Sequence, residues 1–346
     1  MTIKYNNVYI MDTYTVCGPY ENDGPLSNYF DKKYEKELYF GEKSWEKAEV
    51  HLLKEANTNI LKKNKIKEED IDLLISGDLQ NQISASDYMA RDFNIPFIGI
   101  FEACSTISEG IILGSTFIEG KKAKKVIACT SSHNMVAEKQ FRNPTEYGAP
   151  KKKTATFTST GAASILLTNK KSKVKIESTT IGKVVDMGVT DVNHMGAVMA
   201  PAAGDVIYNH LKDTNRDPSY YDLILTGDLG IYGKNILREY MLTKYNIELG
   251  NNYNDCGTLL YDLDKQPVLA GASGPVCSAL VGFGYIYKEM LKGKYKKVLL
   301  VPTGALFSPT FTFQKETIPG IANAISLEDV EKWLMYMLFF SVVLFA

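Results

Sequence analysis

The stretch Phe97-Ile-Gly-Ile-Phe-Glu-Ala-Cys104-Ser105-Thr106-Ile-Ser-Glu-Gly110 holds the most reactive arrangement in the chain. Its apolar start reads as a strand, and the small residues that follow read as a buried helix. Cys104 falls at the turn between them, with Ser105 and Thr106 in the first helical turn. Unpaired N–H groups and the helix dipole favour negative charge at such a place. A cysteine there is expected to have a lowered pKa and a nucleophilic thiolate. The competing reading is a small buried hydrophobe, as most free cysteines are. Position alone leaves both open.

The other reactive residues are scattered. Five cysteines (Cys17, Cys104, Cys129, Cys256, Cys277) make an odd number with no CxxC pair, which excludes a simple disulfide framework and a cysteine-based zinc site. Four histidines (His51, His133, His194, His210) show no HExxH or HxH spacing, so no metal set is expected. His133 follows an apolar strand on the loop Thr130-Ser131-Ser132, and His194 lies in a loop rich in glycine and methionine. Both are expected to be structural or surface residues, although either could face a pocket. His51 and His210 sit in polar helical stretches and are expected to be exposed. Asp78 and Asp228 each close a Gly-Asp pair at a strand end. Turn chemistry is the ordinary reading, and a bridging calcium ion is the alternative.

These residues are positioned by a repeat. Asp72-Leu-Leu-Ile-Ser-Gly-Asp78-Leu79 matches Asp222-Leu-Ile-Leu-Thr-Gly-Asp228-Leu229, and Lys124-Lys-Val-Ile-Ala128 matches Lys296-Lys-Val-Leu-Leu300. Each is a short apolar run of the kind that forms a buried strand. A small-residue helix precedes each of the second pair, with Gly110 opposite Gly282. Helices with glycine on one face can approach another helix closely, so these two are expected to lie in the interior. The longer insertion of the second copy falls between Leu229 and Val276. Each copy reads strand, loop, strand, buried helix, strand. The expected fold is a duplicated α/β architecture, layered αβαβα, with two sheets around central buried helices. The division is placed at residues 1–172 and 173–327.

The remaining features bound the function. The 39 Lys and Arg against 40 Asp and Glu give a net charge of −1, which argues against nucleic acid as a partner. The lysine clusters between elements read as solvated turns, with contact to anionic lipid as the alternative. The polar start has no apolar signal region, so synthesis in the cytosol is expected. Residues 328–346 form a separate tail, and Trp333 to Ala346 carries no charge. That run is shorter than the ~20 residues a bilayer span needs. It reads as an interfacial anchor, a truncated membrane segment or a product of where the reading frame ends, and we favour the last two.

A duplicated α/β chain with a cysteine opening its first central helix resembles the thiolase superfamily. Longer segments narrow this. Asp191-Val-Asn-His194-Met-Gly-Ala-Val-Met-Ala-Pro201-Ala-Ala, Arg142-Asn-Pro-Thr145-Glu-Tyr147-Gly, Thr303-Gly-Ala-Leu-Phe-Ser308-Pro-Thr310 and Ile318-Pro-Gly-Ile-Ala322 resemble the thiolase-like stage V sporulation protein AD family of spore-forming Firmicutes. The resemblance spans about residues 3 to 327, and the tail does not fit it.

The resemblance implies a binder rather than an enzyme. Condensing relatives keep a histidine where this chain has Thr226-Gly227-Asp228, and an asparagine near Gly271-Ala272-Ser273-Gly274. They keep further machinery where this chain has Val301-Pro-Thr303-Gly304-Ala305. The thiol is kept and these helpers are missing. The implied ligand is dipicolinic acid, pyridine-2,6-dicarboxylate, with calcium only as its counter-ion and no other cofactor. The expected partners are stage V sporulation A membrane proteins, and a homodimer is open. The expected location is the forespore cytosol, then the spore inner membrane as a peripheral protein. Expected ligand-binding residues are Cys104, Ser105, Thr106, His133, His194, Ser273 and Ser308. Acyl transfer by Cys104, with His133 or His194 as base, is the alternative.

Overall fold

The computed structural model describes residues 1–141 and 151–330. Ten strands carry the architecture. The first copy contributes β1 (Tyr9–Cys17), β2 (Leu73–Gly77), β3 (Phe97–Gly99), β4 (Lys125–Ser132) and β5 (Gly161–Thr168). The second contributes β6 (Val174–Thr180), β7 (Leu223–Thr226), β8 (Tyr253–Asp255), β9 (Lys297–Val301) and β10 (Ala324–Asp329). In space the first five run β3-β2-β4-β5-β1 and the second five run β8-β7-β9-β10-β6. Every strand thus has a counterpart five numbers on, and the parallel or antiparallel sense of each pairing is repeated too. The two sets meet edge to edge through β1 and β6, where only Tyr9↔Lys175 and Ile10↔Val174 pair, so hydrogen bonding runs on across a narrow seam.

Alternation along the strands sorts side chains into layers, because successive residues point to opposite faces. Leu73 and Ile75 of β2 enter a central core, while Leu74 enters an outer one under the long helix α1 (Trp45–Asn64). Leu223 and Leu225 of β7 enter the same central core, and Ile224 enters the opposite outer core. A short α2 (Ser84–Ala90) joins α1 on its side. The helices α4 (Met195–Thr214) and α5 (Gly230–Tyr245) cover the other side. Between the sheets lie α3 (Thr106–Glu119) and α6, a continuous helical stretch of Pro275–Ala279, a π-helical turn Leu280–Ile286 and Tyr287–Leu291. Full burial of both faces explains why the strands read as unbroken apolar runs.

The repeat extends to individual hydrogen bonds. Asp72 accepts the N–H groups of Lys124 and Lys125 at 2.7 and 2.9 Å, and Asp222 accepts those of Lys296 and Lys297 at 2.6 and 3.0 Å. The helices α1 and α4 are both 20 residues long, and each stops at a left-handed residue, Lys65 or Asn215. A longer α5 in the place of α2 adds a few residues to the second copy, and most of its extra length lies between β8 and α6.

The helices carrying Gly110 and Gly282 lie in the interior as expected, and each glycine faces its own sheet. A Cβ on Gly110 would stand 3.4 Å from Ala128, and one on Gly282 would stand 2.8 Å from Leu300. His210 is not exposed. It is fully buried on the inner face of α4, where its ring joins the Thr180 hydroxyl at 2.7 Å and the Tyr221 hydroxyl at 2.6 Å. Its polar sequence neighbours hid an inward position. No helix among the described residues is long and apolar enough to cross a membrane. The apolar run Trp333 to Ala346 lies outside the described residues.

Candidate functional site

The site forms where β3 gives way to α3. Ala103 takes a left-handed backbone conformation (φ 49°), unusual for a residue with a Cβ, and one tight turn later α3 begins. This bend sets Cys104 at the floor of a cavity of about 100 Å³. From the second copy, Asp228 follows β7, and Ser273 and Gly274 precede α6. All three line the same cavity. Its walls are apolar, with Phe101, Phe141 and Phe307 supplying rings and Met195 and Met199 coming from the start of α4. Both halves therefore contribute to one hollow.

The floor is a small polar cluster. One oxygen of Asp228 accepts the Thr303 hydroxyl at 2.7 Å, and the other accepts the Gly274 N–H at 3.0 Å. The Cys104 thiol lies against the same carboxyl group. Gly274 has φ +94°, and a Cβ there would stand 3.0 Å from both Ser132 Oγ and Thr158 Cγ2. A glycine is needed for the N–H to reach the floor. The Ser273 hydroxyl makes no hydrogen bond within the described residues, although the residue is buried at the cavity edge.

Electrostatics reverse one sequence expectation. The Cys104 thiol has its pKa raised well above the ordinary value, not lowered. Burial is the largest cause and the neighbouring Asp228 carboxyl the next, while the N–H groups of Gly274 and Cys104 pull weakly the other way. Position at a helix start is outweighed by removal from water beside a carboxyl. Asp228 itself is pushed up to about 7, first by burial and also by the nearby Asp255. Close to neutrality it holds a proton much of the time.

The predicted site residues divide. Cys104 and Ser273 line the cavity together. Ser105 and Thr106 do not. The Ser105 hydroxyl donates to Glu102 Oε2 at 2.6 Å, and the Thr106 hydroxyl donates to the Ala103 carbonyl at 2.7 Å, so both are engaged within their own turn. His133 is buried elsewhere, with Nε2 2.8 Å from the Leu38 carbonyl and Nδ1 accepting the Met135 N–H at 3.2 Å. His194 caps α4, accepting the Ala197 N–H at 3.4 Å, and packs against Tyr232. Its neighbours Asn193 and Met195 line the cavity, but its ring does not. Ser308 starts the short helix Pro309–Phe313, one residue beyond the lining residue Phe307.

As a calcium ligand, neither Gly-Asp pair stands out. Asp78 accepts the N–H groups of Gln80 and Ser86, both at 2.8 Å, which is turn chemistry. No group of three or more metal-ligating side chains occurs among the described residues.

Residues 1–328 match the family described as Stage V sporulation protein AD (SpoVAD). The chain belongs to this family. Stage V sporulation protein AD of Bacillus subtilis (strain 168) is 46% identical over 321 residues, covering 93% of this chain and 94% of that relative. Among solved structures, 3-oxoacyl-(acyl-carrier-protein) synthase III from Aquifex aeolicus VF5 is 14% identical with a TM-score of 0.55, covering 93% of this chain and 99% of that one. An OleA variant of Xanthomonas campestris bound with cerulenin is 11% identical with a TM-score of 0.61, covering 94% and 98%. At those identities the likeness is one of fold, and it fixes the thiolase-like architecture for this member of the sporulation family.

Sequence reasoning missed two things in this family member. Asp228 was singled out as a strand end without a histidine and as a candidate calcium ligand, not as a partner of the thiol. The aromatic wall was not foreseen, although Phe307 lies inside one of the family-like segments. The segment Arg142 to Gly148 lies outside the described residues.

Proposed function

We propose that this chain binds dipicolinic acid without turning it over, and serves with stage V sporulation A membrane proteins in loading the acid into the spore and releasing it at germination. The observation that carries this reading is the shape of the site: an aromatic-walled hollow whose floor offers a neutral thiol, a hydroxyl and a carboxyl group held near its protonated form. A flat aromatic diacid needs an apolar slot with polar groups at its end. Phe101, Phe141 and Phe307 suit the ring, and Ser273 and Gly274 suit a carboxylate. The family membership and the 46% identity to the Bacillus subtilis stage V sporulation protein AD support a sporulation role. In this reading calcium travels only as the ligand's counter-ion, and the protein acts peripherally at the spore inner membrane after synthesis in the forespore.

Isothermal calorimetry with dipicolinate, with and without calcium, tests this. Saturable binding lost on closing the hollow by Ser273→Trp is the expected result. No heat in either condition rejects it.

A second reading is acyl transfer, favoured by the thiol at the cavity floor in a fold shared with condensing enzymes. It needs a proton acceptor for Cys104. His133 and His194 are both engaged elsewhere, which leaves Asp228 as the group in reach. Incubation with an acyl thioester followed by mass spectrometry decides it: a stable adduct on Cys104, absent in Cys104→Ala, revives this reading.

A further inference from the structure

The floor of the cavity presents a contradiction for any anionic ligand. Asp228 is 1% exposed, and the groups it meets are a hydroxyl, a backbone N–H and a thiol. No lysine, arginine or histidine lines the cavity among the described residues. The titratable groups facing Asp228 from its neighbours are Cys104 before α3, Asp255 at the end of β8, Cys256 just after it and Cys277 in α6. None of these brings positive charge. Asp255 spends its oxygens on the Thr226 hydroxyl and on the N–H groups of Leu229 and Gly230, so it adds negative potential from behind. An ionised Asp228 would thus repel a carboxylate across a dry, low-dielectric gap.

A protonated Asp228 does the opposite. Thr303, Gly274 and the Cys104 thiol take three of the four lone-pair sites on the carboxyl oxygens, which leaves one. A carboxylic acid can put its proton on such a site and donate it to a bound carboxylate, a charge-assisted pairing. We propose that anion binding in this cavity is proton-coupled, with Asp228 taking one proton from the solvent as the ligand enters and donating a hydrogen bond to the ligand's carboxylate. Asp228 is then a specificity-determining residue. It admits a carboxylate together with a proton and rejects the carboxylate alone. This deepens the dipicolinate reading and rests on it.

The physical consequence is linkage. The site's affinity for a fully ionised ligand falls as pH rises through the titration of Asp228, by up to about tenfold per pH unit above it. Calorimetry of the full chain with dipicolinate, repeated in buffers of different ionisation enthalpy from about pH 6 to 8.5, reads this directly. The expected result is uptake of close to one proton per ligand at the alkaline end, with affinity falling as pH rises. In Asp228→Asn the amide donates without titrating, so binding should persist with no uptake and a flat pH profile. Asp78→Asn, at the matching strand end but outside the cavity, should keep the wild-type profile. Wild-type binding that is tight, independent of pH and free of proton exchange overturns the coupling while leaving the dipicolinate reading intact. An absence of binding at every pH takes down both. The wild-type proton count decides the matter even if Asp228→Asn fails to fold.

Discussion

Asp78 and Asp228 occupy the same place in the two copies, each after a glycine at the end of a buried strand. Both are buried, and both have raised pKa values caused first by burial. Their surroundings differ. Asp78 is tied to the N–H groups of its own following turn and lies near Glu49, whose oxygens accept Ser131 and Gln80. It helps hold α2 and the outer layer together. Asp228 is tied to Thr303 and Gly274, which come from distant parts of the chain, and it opens onto the cavity beside Cys104. One duplicated strand end has become a structural clasp in the first half and a site residue in the second. The difference arises because the first half supplies the thiol and the second half supplies what faces it.

The largest expected effect tests the shared part of the comparison. A Cβ on Gly77 would stand 2.1 Å from the Ile100 carbonyl, and one on Gly227 would stand 2.6 Å from the Thr303 N–H. Gly77→Ala should destabilise the fold by about 3 kcal/mol in denaturant unfolding, and Gly227→Ala by somewhat less. Equal tolerance at both positions would break the parallel between the strand ends.

Next comes pH. Asp228 has a folded-state pKa of about 7, well above the ordinary aspartate range. The native state therefore holds a proton that the unfolded chain has released, and its stabilising effect is present at low pH and lost as pH rises through about 7. His210 works the other way at lower pH, since burial lowers its pKa to about 4. Comparison with Asp228→Asn cancels that contribution. Between about pH 5 and 8 the wild type should lose about 2 kcal/mol more stability than the variant. Parallel pH curves would place Asp228 in water and remove it from the cavity floor.

Thiol chemistry separates the two aspartates further. Cys104 is only partly covered, through the cavity mouth, whereas the other four cysteines are fully enclosed. Asp228→Asn removes the carboxyl that raises its pKa, so iodoacetamide should alkylate Cys104 roughly tenfold faster at mildly alkaline pH. Asp78→Asn should leave the rate unchanged. Peptide mapping by mass spectrometry reads both. The smallest effect is at the rim: Ser273→Ala should leave the melting temperature within about 1 °C and weaken dipicolinate binding by about threefold in calorimetry.

Much of the frame was legible in the residues. The Asp72 and Asp222 segments, 150 positions apart, marked equivalent strands, and Cys104 marked the strand-to-helix turn that became the cavity floor. Ser273, chosen for its position in the turn before the second buried helix, lines the same cavity as Cys104. The failures share a cause. Ser105 and Thr106 were assigned by nearness to Cys104, but hydroxyls in a first helical turn find backbone partners within a few residues. His133 and His194 were weighed as pocket residues, yet each ring is held by a backbone group nearby. The place of Asp228 beside the thiol was not legible because its partners, Cys104, Gly274 and Thr303, are between 46 and 124 positions away.

The sequence by itself determined what is local or periodic: apolar runs that must be buried, the duplication that pairs them, and a cysteine at a strand end. Tertiary structure alone decided which groups converge and what charge they hold. A pKa depends on how much water has left and which carboxyl has come near, and both are settled by long-range packing. That is why a helix-start cysteine that promised a thiolate is instead a neutral thiol beside an acid.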